Sequence, residues 1–283
     1  MKLPFALARR FVAGEDFTAA VPKVRGLNAK GIDVTLDLLG ENVTRRDMAL
    51  ETTRQYRLLV DEIADSGLQS TISIKLTMLG LDIDRGFCME NLVSLMEKVR
   101  ERGSFVRIDM EGSAYTQVTI ELFKEVFERY PEHVGIVIQA YLHRTAQDIP
   151  MLAEMGADVR LCKGAYKEPS SIALQNMADI RTAYRDYARQ LLGRTPFPRM
   201  ATHDSALVEW VKTYAEQHAV PKDRFEFQML YGLRERTMEE LAGQGYRTRV
   251  YVPYGTMWFP YYRRRLTERK ENVLFVVSNL FKN

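Results

Sequence analysis

The chain has 283 residues, 46% of them apolar and 27% charged, with a net charge of +3. Such a composition suits one large soluble domain with a self-sufficient core, and it excludes the strongly basic balance by which a chain recruits nucleic acid. Cys88 and Cys162 form no CxxC pair and His133, His143, His203 and His218 share no metal-ligand spacing, so a reducing, cytoplasmic setting without a metal site is expected.

The opening segment "MKLPFALARRFVAGEDF" is amphipathic, but Arg9 and Arg10 break its apolar run too early for a signal peptide. Residues 1–31 therefore read as a helical lead-in. No stretch of about twenty apolar residues follows, so no transmembrane segment is expected. Short β-branched runs then alternate with longer segments of helical period. The strand candidates are Ile32–Leu39, Ser70–Leu76, Phe105–Met110, Val134–Tyr141, Asp158–Gly164, Arg199–His203, Phe225–Leu230 and Arg247–Gly255. Glycines at 67, 103, 156 and 193 read as helix stops, where a left-handed residue closes the last turn. No Pro/Gly/Ser-rich linker divides the chain, so residues 1–283 form one domain, with 270–283 as a C-terminal helical tail. Eight strand–helix units in this length predict a (β/α)8 barrel. A doubly wound sheet would carry a glycine-rich phosphate turn, and the first strand runs instead into "LLGENVT".

In a barrel the active site lies at the C-terminal strand ends. Those ends carry Asp37 and Glu41, Lys75, Asp109 and Glu111, Gln139 and Tyr141, Arg160 and Lys163. Further round come Thr202, His203 and Asp204, then Glu226 and Gln228, and last Tyr251. Each has a structural explanation taken singly. Lys75 could snorkel, Asp109 could cap the next helix, His203 could be a hydrogen-bonded core histidine, and Arg160 could form a purely structural pair. Jointly these weaken, because buried charges need partners and chance does not seat one at nearly every strand end. The ring predicts a polar ligand site. The C-terminal run "YYRRRLTERKEN", Tyr261 to Asn272, could be a solvated helix face. The adjacent Arg264 and Arg265, set among Tyr261 and Leu266, also suit a clamp on an anion.

Taken in order, "SIKL", "IDMEG", "RLCKGAY", "ATHD", "FEFQMLYG", "RVYVPYG" and "YYRRRLTE" resemble the proline dehydrogenase family from about residue 32 onward. The resemblance implies a barrel whose last helix covers the strand ends, FAD as cofactor, and oxidation of L-proline to Δ1-pyrroline-5-carboxylate. Electrons would go to a membrane quinone at the inner face of the cell membrane, and the product to a separate pyrroline-5-carboxylate dehydrogenase. It assigns Arg264, Arg265 and Lys75 to the substrate carboxylate and Tyr251 and Tyr261 to the walls around the substrate ring. Arg160 falls near the flavin N5, and Asp109 matches an acidic position that would restrain Lys75 or move protons. Met110, Gln139, Lys163, Gly164, Ala165, Tyr166, Thr202, His203, Gln228 and Glu268 match cofactor contacts. Glu41 matches a carboxylate that pairs with Arg264 as a gate. The sequence departs from relatives at Cys162, where many have valine, and at Lys167 and Asp204, where large bifunctional members carry tryptophan and asparagine.

Other chemistries compete for the same residues. A methylenetetrahydrofolate reductase-like flavin barrel would share the cofactor site, and a class I aldolase would use Lys75 or Lys163 as a Schiff base. A non-catalytic barrel would use the basic helix to bind an anionic partner.

Overall fold

The computed structural model describes residue 5 and residues 8–267, the last four through their backbone alone. Eight parallel strands close into a barrel in sequence order: β1 (Asp33–Leu38), β2 (Ser70–Ile74), β3 (Val106–Ile108), β4 (Val134–Gln139), β5 (Asp158–Cys162), β6 (Arg199–Ala201), β7 (Glu226–Leu230) and β8 (Arg247–Tyr254). Closure is made by β8 against β1, with Thr35 opposite Tyr251. The expected strands are all present, trimmed by one to three residues where the chain turns out of the sheet.

Ahead of the barrel stands α1 (Phe17–Asn28); around it run α2 (Arg46–Asp65), α3 (Arg85–Glu101), α4 (Ser113–Arg129), α5 (Thr145–Glu154), α6 (Met177–Arg194), α7 (Ser205–Gln217) and α8 (Glu235–Gly243). Four of the helices, α1, α3, α6 and α7, start where a local side chain satisfies a first-turn N–H group. Asp16, Asp84, Asn176 and Asp204 each accept from the backbone one turn in. Gly67, Gly103 and Gly156 sit at positive φ just past their helices, as expected. Gly193 does not: α6 runs through it to Arg194 and ends where Thr195 hydrogen-bonds back to the Leu191 carbonyl.

The apolar sides of helices and strands, among them Val34, Ile72, Ile136 and Phe227, merge into one core. A smaller second core lies at the C-terminal mouth. There Phe11 and Val12 of the lead-in meet Leu39, just past β1, and Trp258, Tyr261 and Tyr262 of the last helix, α9 (Trp258–Thr267). That second core is why α9 lies against the strand ends rather than extending the outer ring. The expected tail, residues 270–283, lies outside the described residues.

Candidate active site

The alternation of β3, β5 and β8 turns Asp109, Arg160 and Tyr251 toward the barrel axis at its C-terminal end. Arg160 Nη1 donates to Asp109 Oδ1 at 2.9 Å and to Ser73 Oγ at 3.2 Å. The other oxygen of Asp109 accepts from the Tyr251 hydroxyl at 2.7 Å. The Arg160 guanidinium also lies 5.4 Å from the Tyr251 ring centre. Beside this triad Lys75 Nζ donates to Asp37 Oδ1 at 2.9 Å, with both side chains buried.

This arrangement corrects one expectation and removes one structural alternative. Asp109 does not hold Lys75 directly; Asp37 does, and Asp109 acts on the ammonium only through its field. Nor does Asp109 cap α4, whose N-cap is Gly112 with no side-chain bond of its own. Burial alone would lower the Lys75 pKa, but the charges of Asp37 and Asp109 outweigh it and hold the ammonium above its ordinary range. Burial, then the Asp109 charge, raises the Tyr251 hydroxyl well above its usual value, so it stays a donor. The Cys162 thiol is pushed up to about 12 by burial and is neutral.

These groups floor a cavity of about 630 Å³, within the size range of small-molecule and cofactor sites. Lys75, Asp109, Met110, Arg160, Gln228, Tyr251 and Tyr261 line it, so α9 and five strands contribute to one site. Lys163, Gly164, Ala165 and Tyr166 form a flank, and Thr202 with His203 another. Gly164 has φ of +133°, and a Cβ there would collide with the Tyr141 ring. The glycine thus answers to backbone conformation and to Tyr141 as well as to any ligand. Asp204 joins Lys163 (3.2 Å) and Arg181 (2.7 Å) while it caps α7. His203 Nε2 accepts from the Leu230 N–H, which orients its ring.

Some predicted residues sit elsewhere. Gln139 is buried behind the wall, accepting from Ala165 N–H and donating to the Glu111 carbonyl. Glu111 turns away from Asp109 and accepts from the backbone N–H and hydroxyl of Thr77. Glu226, grouped with the strand ends, lies at the opposite end of the barrel. There it accepts from Arg199 and Arg249, both at 3.0 Å. Glu41 is exposed at the mouth. The side chains of Arg264 and Arg265, and Glu268 altogether, lie outside the described residues, as does the expected Glu41–Arg264 pair. Val137, Met229 and Arg181, which no motif had marked, also line the cavity wall. Strand alternation from Arg160 and Gln139 would have pointed to Val137.

Residues 20–278 match the family model described as proline dehydrogenase. The chain is 39% identical over 275 residues to proline dehydrogenase 2 of Bacillus subtilis strain 168, covering 97% of this chain and 90% of that one. It is 37% identical over 280 residues to the proline dehydrogenase of Deinococcus radiodurans, with 98% and 90% covered. Among solved structures, it superposes with a TM-score of 0.87 and 28% identity on proline utilization A from Bdellovibrio bacteriovorus, inactivated by N-propargylglycine. That match covers 93% of this chain and 33% of the larger protein, so this chain spans a third of it.

Proposed function

This chain belongs to the proline dehydrogenase family, and on that premise we propose that it oxidises L-proline to Δ1-pyrroline-5-carboxylate with FAD in the strand-end cavity. The observation that carries the reading is the pair of adjoining charge groups, Arg160–Asp109–Tyr251 and Lys75–Asp37, on the floor of that cavity. A cation fixed in place beside a second, protonated cation suits a site that must hold a small carboxylate next to an electron acceptor.

The residues present fit the cofactor. Among the described residues, Arg160 Nε is buried with no hydrogen-bond partner, although Nη1 is doubly engaged. Met110, Val137 and Met229 offer apolar wall, while Lys163 and Thr202 offer donors on the two flanks. Arg160, Lys163 to Tyr166, Thr202, His203 and Gln228 would hold the FAD, and Gln139 would support the Ala165 backbone from behind. Bound there, the flavin would accept the hydride from the ring carbon beside the proline nitrogen and pass the electrons to a membrane quinone.

The chain's own groups do the rest. Arg160 presents a cation where negative charge develops, already oriented by Asp109 and Ser73. Lys75 keeps its proton and, with Arg264 and Arg265 from α9, binds the substrate carboxylate. The planar guanidinium fork gives that contact its direction. Tyr251 and Tyr261 shape the walls around the substrate ring. The proline amine must arrive neutral, and the product would pass to a separate pyrroline-5-carboxylate dehydrogenase. The Schiff-base alternative fails on Lys75, because such a lysine must lose its proton and this one sits between carboxylates that keep it.

A visible spectrum of the purified protein tests the proposal. Flavin absorption that bleaches on anaerobic addition of L-proline is expected, with all flavin released to the supernatant by acid. A colourless protein, or a flavin indifferent to L-proline, would sink it.

A further inference from the structure

The cavity-lining loop after β5 is tied down along one side by backbone bonds to the segment after β4. Tyr141 N–H donates to the Lys163 carbonyl, His143 N–H to the Ile172 carbonyl, and Leu174 N–H to the Tyr141 carbonyl. On the other side it reaches the start of α4 through one carboxylate. Glu168 Oε1 accepts from Ser113 N–H at 2.7 Å, and Oε2 accepts from Ser113 Oγ at 2.6 Å. Ser113 opens α4 directly behind Gly112, an N-cap residue with no side chain to offer. Where α1, α3, α6 and α7 are capped by their own Asp or Asn, α4 takes its cap from another loop. The charge suits the place, because a helix N-terminus favours an anion.

This contact spans two walls of the site. Asp109 and Met110 stand just before α4, and Gly164, Ala165 and Tyr166 stand just before Glu168; all five line the cavity. We propose that Glu168 is a positioning residue that latches the cofactor-side loop to α4 and so sets the width of the cofactor cleft. The inference rests on the reading that FAD occupies this cavity. Glu168 touches neither cofactor nor substrate in this role. Its effect is to keep Gly164–Tyr166 in place before the cofactor arrives, so that ordering the loop costs nothing on binding.

The test compares wild type with Glu168→Ala, Glu168→Gln and Ser113→Ala, stripped of flavin and titrated with FAD by fluorescence quenching. Losing a bidentate, charged cap should raise the FAD Kd about tenfold in Glu168→Ala. Glu168→Gln, which keeps one acceptor without the charge, should fall between, and Ser113→Ala should cost about threefold for one lost hydroxyl. Tetrahydrofuroate affinity of the flavin-saturated enzyme should stay within about twofold, since the substrate end of the site is not held by this latch. Trypsin supplies a readout without flavin: cleavage after Lys167, next to the latch, should be faster in Ser113→Ala, which leaves the residues around the scissile bond unchanged, than in wild type at equal Tm. Unchanged FAD affinity and unchanged cleavage would overturn the latch. If Glu168→Ala does not fold, Ser113→Ala decides by the same two measurements and Glu168→Gln by FAD affinity. A wild type that takes up no FAD overturns the cofactor reading instead, and the cleavage comparison still judges the latch.

Discussion

The barrel holds buried charge at both ends, and the two ends treat it oppositely. At the N-terminal end Arg199 bridges Asp158 at 2.6 Å and Glu226 at 3.0 Å, Arg249 bridges Glu226 and Asp33, and Arg107 donates to Asp158. Gly135 leaves room for the Arg107 guanidinium, which a Cβ would strike. The strand starts of β1, β3 and β5 to β8 are thus joined by opposed charges, beneath the floor of the cavity. At the C-terminal end Lys75 and Arg160 are also paired, yet both face the cavity and keep capacity for a ligand. Ion pairs in a barrel are therefore not informative by their presence. What separates a strut from a site is whether the paired groups border a space.

The comparison breaks most directly at Glu226, which is fully buried. Glu226→Gln leaves Arg199 and Arg249 short of a countercharge in the interior, which should cost about 3–5 kcal/mol in unfolding free energy. Activity per folded molecule should be retained. Urea titration measures the first and initial rates the second; a small stability loss with lost activity would assign Glu226 to the site after all. The pH dependence follows from the same pair. Burial alone would raise the Glu226 carboxyl, but Arg199 and Arg249 more than offset it and hold its pKa below the ordinary 4.5. A depressed folded pKa gives stability that is fully present above that value and is lost as pH falls below it. The gap between wild type and Glu226→Gln should accordingly narrow below about pH 4.5.

At the other end, Arg160→Met removes a cation that faces the cavity and leaves Asp109 with the Tyr251 hydroxyl. Loss of one preorganised electrostatic donor costs about 2.7–4 kcal/mol of barrier, so flavin reduction by L-proline should slow about 100-fold or more. The bound flavin should also become harder to reduce. Stopped-flow reduction and a potentiometric titration check this, and an unchanged potential with an unchanged rate would make Arg160 a strut like Arg199.

Much of this was legible in the sequence, but not which end was which. A period of two identifies inward residues, and it put Asp109 with Glu111, of which Asp109 lines the cavity while Glu111 turns to Thr77. The same rule put Glu226 with Gln228, two residues apart on one face. Gln228 lines the cavity and Glu226 lies one layer down, its Oε1 accepting from the Gln228 amide at 2.5 Å. Depth along a strand depends on register, which comes from long-range pairing and not from local pattern. Arg107 and Asp158 were passed over for the same reason, although charged residues at the starts of β1, β5, β6, β7 and β8 form a visible series. Direct contact with Lys75, one of two roles open to Asp109, falls to Asp37, because the choice between the two depends on side-chain reach across the barrel. Gly193 was taken for a stop although a glycine inside the last helical turn carries the same letter. The contact of Glu168 with α4, 55 residues away, has no local signature at all.

The arginine pair on α9 sharpens the contrast from the substrate side. Arg264→Lys and Arg265→Lys keep charge but lose the planar two-point fork. If both grip the carboxylate, each should cost about 1.5–3 kcal/mol, or one to two decades in kcat/KM. Tetrahydrofuroate, which carries the carboxylate but no ring nitrogen, should lose a similar factor in Kd. Arginines on a solvated helix face would behave as surface ion pairs do, worth about 0–1 kcal/mol, and both variants would bind the inhibitor within about twofold of wild type. Tyr261 and Tyr262 on the same helix are buried, so α9 has one face turned into the protein.

The smallest effect is expected at Glu41, which stands exposed just beyond β1 rather than on the cavity floor. As a gate partner of Arg264 it would act only while the mouth closes over bound L-proline, and an exposed pair contributes about 0–1 kcal/mol. Glu41→Ala should then raise KM by no more than about fivefold, and it should speed product release where release limits turnover. Flavin content and the potential should not move, since neither the floor nor the β5 loop is touched. Steady-state KM together with single-turnover reduction separates the steps: a changed KM with an unchanged reduction rate at saturating L-proline is the mark of a gate. Wild-type KM and release in this variant would remove Glu41 from the site, and closure would then rest on the packing of α9 against Phe11 and Leu39.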